Sequence, residues 1–450
     1  MTRSSPTDAA EIAPGRHSDP KRTTRLPGMI RALQHRNFQL FFSGQLISLI
    51  GTWMQNIAQA WLVYRLTNSS WLLGVVGFLG QIPVFLLAPV GGTVADRWNR
   101  QRVVIGTQTS SMILALILAW LTLADVVRVW EIMVLAAMLG AVNAFDIPAR
   151  QAFLVDMVGK DDLMNAIALN SSMFNGARVI GPAIAGILVA SIGEGWCFFA
   201  NGVSYIAVIA GLFLMRLNIF EKKKEGSPVE HIVEGFKFVH RTRPIWALLL
   251  LLGVVSLVAT PYSVLMPIFA DRILHGGARA LGVLMGAAGV GALMAALTLA
   301  MKRGLKGLSR WVVLSCAGFG VSLICFAFSK NYLLSILLLV PVGFAVMLQM
   351  ASSNTLIQSM VPDDFRGRTM AVYSMMFMGM APLGSLFAGG LAAKIGAPWT
   401  LAIGGLGAIA GAAVFARHLP KLRVEARELL IAQGMAGGEP ADTMTARASE

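Results

Sequence analysis

The sequence predicts an all-α membrane protein with twelve transmembrane helices, arranged as two parallel six-helix repeats with both termini in the cytoplasm. Three observations predict this fold class: the composition, a succession of long apolar segments, and an internal repeat. The 450 residues are 56% hydrophobic and only 13% charged, whereas soluble domains carry about 25% charged residues. A soluble enzyme is therefore disfavoured from the outset, and no catalytic residues are expected.

Twelve apolar segments are long enough to cross a hydrocarbon core as helices, which takes about 20 residues each. Helices and closed barrels are the structures that satisfy their own backbone hydrogen bonds in lipid. The predicted spans are 39–63, 71–94, 103–124, 130–150, 164–192, 195–216, 245–270, 279–301, 311–328, 332–360, 366–394 and 398–418.

The distribution of positive charge predicts the orientation. Of the 37 Lys and Arg residues, 30 lie on the side of the amino terminus and six on the opposite side, and positive loops are retained in the cytoplasm. Residues 1–38 carry seven of them and no apolar core of signal-peptide length, so this tail is also expected inside. The predicted orientation therefore places the amino and carboxyl termini both in the cytoplasm.

Cysteine, histidine and charge patterns exclude several other functions. Cys197, Cys316 and Cys325 lie in or beside spans, which indicates neither a disulfide framework nor a metal site. No phosphate-binding loop is present, so ATP hydrolysis by that route is not expected. The net charge of +14 is explained by topology. Anionic lipid headgroups rather than nucleic acid are therefore the expected counter-charge, and we expect a monomer without cofactors or metals.

An internal repeat organises the chain. Residues 145–202 align with 348–405 at a constant offset of 203, and the matched pairs include Gly181 with Gly384 and Gly186 with Gly389. The predicted organisation is a tail, a first half, a cytoplasmic linker with a short amphipathic helix, a second half and a second tail. Their ranges are 1–38, 39–216, 217–244, 245–418 and 419–450. Parallel six-helix repeats are a transporter plan, with substrate held between the halves and access alternating.

The loop between the second and third spans carries a specific motif. Residues 92–102 read GTVADRWNRQR, which resembles the GxLaDrxGrk loop signature of the major facilitator superfamily. The matching second-half loop, 302–310, has no Asp. The resemblance implies the major facilitator fold and transport by alternating access.

Two further segments narrow this resemblance. Residues 146–152 read DIPARQA and residues 177–186 read ARVIGPAIAG. Both look like the branch that contains the enterobactin exporter and related drug and macrolide efflux proteins. This resemblance, which covers about residues 30–420, implies export of a siderophore-like or drug-like compound, with protons as the coupling ion. We expect Gly181, Pro182 and Gly186 to support close helix packing.

Arg178 is the one basic residue inside a span, near the centre of span five. A charge at this depth costs at least about 2.5–3.5 kcal/mol, so it must face protein or water. The predicted role is contact with an anionic or carbonyl-rich part of the substrate. A structural tie to backbone carbonyls is nearly as strong an alternative.

Polar residues in other spans are further candidates for substrate contact. Gln55, Asn56 and Gln59 belong to a polar stripe on span one, which favours a cavity lining over hydrogen bonds between helices. The remaining candidates are Asn143, Asn175, Tyr262, Gln349 and Asn354.

Charged residues near the cytoplasmic ends of spans two and four predict a gate. Asp146 and Arg150 are four residues apart and within expected reach of the loop, so they could form a charge cluster that breaks when this side opens. The predicted gating residues are Gly92, Asp96, Arg97, Arg100, Asp146 and Arg150. Asp146 is also the best available proton-binding residue, since no carboxylate lies deep in a span.

The resulting hypothesis is a proton-coupled exporter of a small amphipathic compound in the bacterial inner membrane, which is the location that the resemblance implies. An importer or lipid carrier of the same fold is the alternative within transport. A membrane sensor or scaffold that transports nothing is the alternative from a different class.

Overall fold

The structure is a computed structural model that describes residues 28–215, 228–259, 261–302, 304–305 and 307–433. A 3₁₀ helix, Gly28–Gln34, comes first and fourteen α-helices follow in the described ranges. The α-helices are α1 Arg36–Thr67, α2 Ser70–Arg97, α3 Arg100–Leu123, α4 Val129–Val158, α5 Leu163–Ile192, α6 Glu194–Leu214, α7 Pro228–Arg241, α8 Arg243–Val258, α9 Tyr262–Ile268, α10 Gly277–Met301, α11 Leu308–Ala327, α12 Tyr332–Met360, α13 Asp363–Ile395 and α14 Ala397–Ala432.

Eleven candidate spans in the described residues are long and apolar enough to cross a membrane, and this confirms the prediction of an all-α membrane protein. One of the eleven, Arg243–Ile273, combines α8, α9 and the π-turn Phe269–Ile273. Helix α1 is 32 residues long but is not among them. Its polar stripe lowers its hydropathy, and the count of twelve spans stays a prediction. For reference, the face where α1 begins is called the terminal face, and the face where it ends is called the opposite face.

The helices of the two halves correspond at the offset of the sequence repeat, with one exception. Helix α4 begins at Val129 and α12 begins at Tyr332, 203 residues later. In contrast, α1 is continuous whereas its counterpart is divided between α8 and α9. Pro261 directly precedes α9 and has no backbone N–H to donate, so a continuous helix would lose a hydrogen bond there. The predicted span over 245–270 is confirmed within the candidate span Arg243–Ile273, and the structure divides it between α8 and α9.

Two glycine crossings join the halves near the opposite face. A Cβ placed on Gly186 of α5 would lie 2.9 Å from the Cα of Gly282 in α10. The symmetry-related crossing pairs Gly74 of α2 with Gly389 of α13, again at 2.9 Å. Only residues without side chains allow backbones to approach this closely, as small residues do in membrane helix pairs.

Toward the terminal face, the interface helices carry glycines in open space. A Cβ on Gly92 of α2, Gly176 of α5 or Gly367 of α13 would meet no atom within 4 Å. The glycine contacts between the halves therefore lie toward the opposite face, and none of these three glycines of the terminal side packs against the other half.

Helical structure outside the predicted spans includes the linker segment and the continuation of the last span. Helix α7 occupies the predicted amphipathic stretch of the linker and packs on α13. The Glu234 carboxylate lies 2.8 Å from the Arg368 guanidinium, and Phe238 stacks on Phe365 at 4.7 Å between ring centroids. Helix α14 continues to Ala432, beyond the predicted span end at 418, and the Nε of Arg423 donates to the Ser309 hydroxyl.

Candidate functional site

Arg178 lies halfway along α5, at the junction of the two halves. Its Cζ is 5.7 Å from the centroid of the Trp53 ring of α1, which makes a cation–π contact. Across the junction, its guanidinium is close enough to the Tyr262 hydroxyl of α9 to interact with it electrostatically. Trp53 is held edge-on against Phe174 at 5.6 Å, and Tyr262 against Phe319 at 6.2 Å. Arg178 thus contacts the Trp53 ring of the first half and interacts with the Tyr262 hydroxyl of the second half.

No carboxylate lies within ion-pair distance of Arg178 among the described residues. Arg178 is half-buried, so its charge is also incompletely solvated. Arg presents five donors in a fixed plane, and two aromatic contacts leave most of these donors available. The site can therefore accept an anionic or carbonyl-bearing group.

The polar stripe of α1 divides between two environments, and this corrects the prediction for Gln55. Gln55 is buried and its Oε1 accepts a 2.7 Å hydrogen bond from the Asn201 amide of α6. It therefore ties two helices together and does not line a cavity. Asn56 is exposed and Gln59 half-buried, so both remain candidates for substrate contact.

The remaining candidates do not converge on one site. Asn175 is buried and donates to the Ser171 carbonyl of its own helix at 2.9 Å. Gln349 is fully buried, and its Oε1 has no partner among the described residues. Asn354 accepts a hydrogen bond from Gln358, and Asn143 is half-buried in α4. Of these candidates, only Tyr262 contacts Arg178.

A cavity of about 240 Å³ lies between the halves, formed by α2, α9 and α13. Its polar lining residues, which the sequence did not indicate, are Gln81, Ser263 and Ser385. Gly379 of α13 packs against the Phe85 ring of α2 beside this space. A lone Gln or Ser in an apolar span carries too weak a signal to identify it as a cavity residue.

The predicted gating residues are not in one cluster, which corrects the expected arrangement. Arg100 pairs with Asp156 at 3.0 Å and also donates to the Ala152 carbonyl at 3.1 Å. Asp96 and Arg97 are exposed at the terminal end of α2. Asp96 forms no ion pair among the described residues.

Asp146 and Arg150 form their own ion pair inside the first half. The Arg150 Nη2 lies 3.2 Å from Asp146 Oδ2, and Asp146 is only 3% exposed. The hydroxyl of Thr107 and the amide of Gln108, both from α3, donate to Asp146 Oδ1. Asp146 therefore faces the interior of the first half and not the junction between halves.

The predicted helix-packing residues lie at helix crossings. A Cβ on Gly181 would meet the Trp53 Cβ at 2.5 Å, so this glycine admits the ring that Arg178 contacts. The Pro182 carbonyl lies against Gly282, and Gly186 forms the crossing described above.

A polar contact near the opposite face was not predicted and joins the halves. The Tyr64 hydroxyl of α1 donates to Asp271 Oδ2 at 3.1 Å. Arg272 donates to the Asn68 carbonyl at 3.3 Å, and its guanidinium lies 5.9 Å from the Tyr64 ring centroid. The adjacent Asp-Arg pair directly after span seven was the available sequence signal. We call these four residues the opposite-face lock.

Replacing Tyr64 with Phe is expected to weaken this lock without loss of ring packing. A net hydrogen bond contributes about 0.5–1.5 kcal/mol, so the equilibrium should shift about two- to tenfold toward opening of the opposite face. Solvent accessibility of a reporter cysteine at Val63, which is fully buried in this conformation, measures the shift once the exposed Cys325 is replaced. The control is Trp61→Phe, because Trp61 contacts the Tyr64 ring but none of the polar groups of the lock. Equal accessibility in Y64F and in the unmodified protein would contradict the lock.

The structure is a helical membrane fold with two halves, and solved structures share this fold. The nucleoside transporter NupG superposes with a TM-score of 0.66 at 12% identity, covering 85% of this chain and 98% of that one. A bacterial homologue of the human lysosomal transporter Spinster, in an inward-facing and unoccupied conformation, superposes with a TM-score of 0.61 at 16% identity, covering 92% and 99%. These likenesses support the fold alone.

Sequence comparison identifies the family. The chain belongs to the transmembrane secretion effector family, which matches residues 28–437. It is 27% identical to the staphyloferrin A transporter of Staphylococcus aureus, covering 86% of this chain and 98% of the relative. It is 25% identical to the enterobactin exporter EntS of Shigella boydii (80% and 86%) and 27% identical to the multidrug efflux pump Tap of Mycolicibacterium fortuitum (76% and 85%). The chain is thus a multi-pass membrane transporter of small molecules and not an enzyme, and the resemblance to the major facilitator superfamily is confirmed.

Proposed function

We propose that the chain exports a small, amphipathic, anionic or polyoxygenated compound from the cytoplasm across the inner membrane, coupled to proton entry. The observation that carries this proposal is Arg178, a cation at the junction of the halves without a carboxylate partner among the described residues. A substrate that brings negative or carbonyl oxygens supplies the missing partner. Siderophore-like and drug-like compounds both have such groups.

The arrangement of contacts supports alternating access. Glycine crossings and the opposite-face lock hold the halves together at one face, and the interface glycines near the other face are unobstructed. With the termini in the cytoplasm, as the charge count predicts, the open face is the cytoplasmic one. A compound would then enter from the cytoplasm beside Trp53 and Arg178 and leave after the halves rock.

Domain organisation follows the same proposal. The two halves, 39–216 and 245–418, act as the rocking bodies of a single chain working as a monomer. The linker 217–244 and the tails 1–38 and 419–450 lie in the cytoplasm.

Secreted metabolites of a deletion strain and its parent under iron limitation test the function. Loss of an extracellular siderophore from the deletion strain identifies that substrate, and its intracellular accumulation identifies export. Restoration by the plasmid-borne gene, but not in the presence of a protonophore, supports proton coupling. Accumulation of the compound in the parent relative to the deletion strain would indicate import instead. Absence of any flux would favour a sensor or scaffold.

Replacing Asp96 with Asn is expected to slow transport without destabilising the protein. Asp96 is exposed, so the free energy of unfolding should change by no more than about 0.5 kcal/mol. Turnover should fall because the closed terminal face loses a carboxylate that faces the positive charges around it. Initial efflux rate and thermal unfolding are measured together, with Asp125→Asn in an opposite-face turn as the control. If the turnover of Asp96→Asn equals that of the control, Asp96 has no role in gating.

A further inference from the structure

A groove of about 390 Å³ lies on the side of the second half, between α10 and α11 and over α12. We propose that this groove binds one acyl chain of an anionic phospholipid from the leaflet at the terminal face, and that Lys302 contacts the lipid phosphate. The proposal needs only the membrane location of the chain. It does not depend on the substrate, the direction of transport or the coupling ion.

Helix packing and small side chains create the groove. Helices α10 and α11 both pack against α12, whereas they make little direct contact with each other in the described part of the chain. A Cβ placed on Gly318 of α11 would meet no atom within 4 Å, so the space beside this residue is open. The small lining residues are Thr298, Ser315, Gly318, Ser322 and Ala345.

The groove opens toward the bilayer and not toward the junction at Arg178. Both flanking helices expose large apolar side chains, Leu314 and Val321 on α11 and Met294 and Leu297 on α10. Exposed apolar surface of this kind on a membrane helix marks contact with lipid. A hydrocarbon chain can therefore enter the groove sideways from the surrounding leaflet.

The hydroxyl groups in the lining do not make the groove a polar site. The Thr298 hydroxyl donates to the Met294 carbonyl, and the Ser315 hydroxyl donates to the Trp311 carbonyl, each within its own helix. A hydroxyl has one proton to donate, so neither residue has a donor left for a polar ligand. The walls therefore suit a hydrocarbon chain better than a polar compound.

Positive charge lies at the terminal end of the groove. Lys302 directly follows α10, and its Nζ is 4.7 Å from the ring centroid of Trp311, which lines the groove. None of the ion pairs in the described ranges involves Lys302. Residues 302–310 include four basic and no acidic residues. Tryptophan and lysine at a helix end are typical of the headgroup level, and basic clusters there attract anionic lipids.

Phospholipids that carry a photoactivatable diazirine in one acyl chain test the site. The full-length protein is placed in lipid nanodiscs with labelled phosphatidylglycerol, which is anionic, or with labelled phosphatidylethanolamine of the same chain length. Mass spectrometry then maps the labelled residues. We expect phosphatidylglycerol to label the groove residues of α11 and α12 more strongly than phosphatidylethanolamine does. Equal labelling by the two lipids, or groove labelling no stronger than that of exposed residues on α3, overturns the proposal.

Two variants separate the acyl chain from the headgroup. Gly318→Phe fills the open space of the groove and should abolish labelling there, whereas Gly106→Phe on α3, also in open space, is the control and should retain it. Lys302→Gln should lower groove labelling by phosphatidylglycerol about fivefold, the contribution of one basic residue near an anionic surface, and leave that by phosphatidylethanolamine unchanged. Full labelling in G318F, or unchanged labelling by phosphatidylglycerol in K302Q, contradicts the site.

A cysteine at Leu314 tests whether a second copy of the chain occupies the groove instead. Leu314 is exposed at the groove, and the exposed Cys325 on the same helix is replaced first. With lipid in the groove, oxidation of the protein in the membrane should leave a monomer. Efficient formation of a disulfide-linked dimer through this cysteine would assign the groove to a second copy and reject the lipid.

Discussion

Export is expected to fall about 10- to 100-fold when Arg178 is replaced by Gln, because a hydrogen bond to a charged group contributes about 1.5–3 kcal/mol. Arg178 has no carboxylate partner among the described residues, so its removal leaves no opposite charge stranded in the membrane. The variant should therefore fold normally. Initial efflux of the compound identified by the deletion strain measures the effect.

Two further variants separate charge from geometry at this position. Arg178→Lys keeps the positive charge but lacks the planar group that contacts Trp53, so we expect partial loss. Arg102→Gln removes an exposed arginine from α3 and serves as the control for loss of one charge. If efflux and the substrate profile are unchanged in a well-folded R178Q protein, Arg178 does not contact the substrate and its role is structural.

The glycine crossings predict the second large effect. In the double variant Gly186→Ala and Gly389→Ala, each new Cβ would lie within 3 Å of a backbone Cα on the facing helix. Overpacking of this kind costs about 1–3 kcal/mol at each site, so the conformation closed at the opposite face should lose at least about tenfold in population. Transport should slow correspondingly, because the cycle must pass through this conformation.

Distances between spin labels measure this change. Val126 and Tyr332 are exposed near the opposite face, one in each half, and can carry labels once the exposed Cys325 is replaced. The double variant should show a longer distance than the unmodified protein. Gly176→Ala adds a methyl group on the same helix α5 in open space and should leave the distance unchanged. Identical distances in all three proteins would show that the crossings do not hold this conformation.

Local and periodic features of the fold were predictable from sequence. Lipid requires about 20 apolar residues per helix and basic residues mark one face, so span positions follow from composition alone. Adding the repeat offset of 203 to the first half predicts the positions of the second half. The start of α12 lies 203 residues after the start of α4, as this offset predicts. The division between α8 and α9 departs from this symmetry, although Pro261 was visible in the sequence.

The site was only partly predictable, because helical spacing shows which residues share a face but not which neighbour that face meets. Gln55 was placed correctly on a polar stripe, yet its partner Asn201 is 146 residues away on α6. Asp146 was expected at a gate, but its environment depends on α3 packing beside it. Arg178 was identifiable because a charge in a membrane span is costly wherever the neighbouring helices lie.

The docking of α7 on α13 has a consequence for which parts of the chain move together. Because α7 contacts α13 through Glu234 and Phe238, this part of the linker belongs to the second half and would travel with it in the proposed motion. At the opposite face, the backbones of the two halves already touch at Gly186 and Gly389. The halves therefore have no room to approach each other further there, and any relative movement from this conformation must separate them at the opposite face or bring them together at the terminal face.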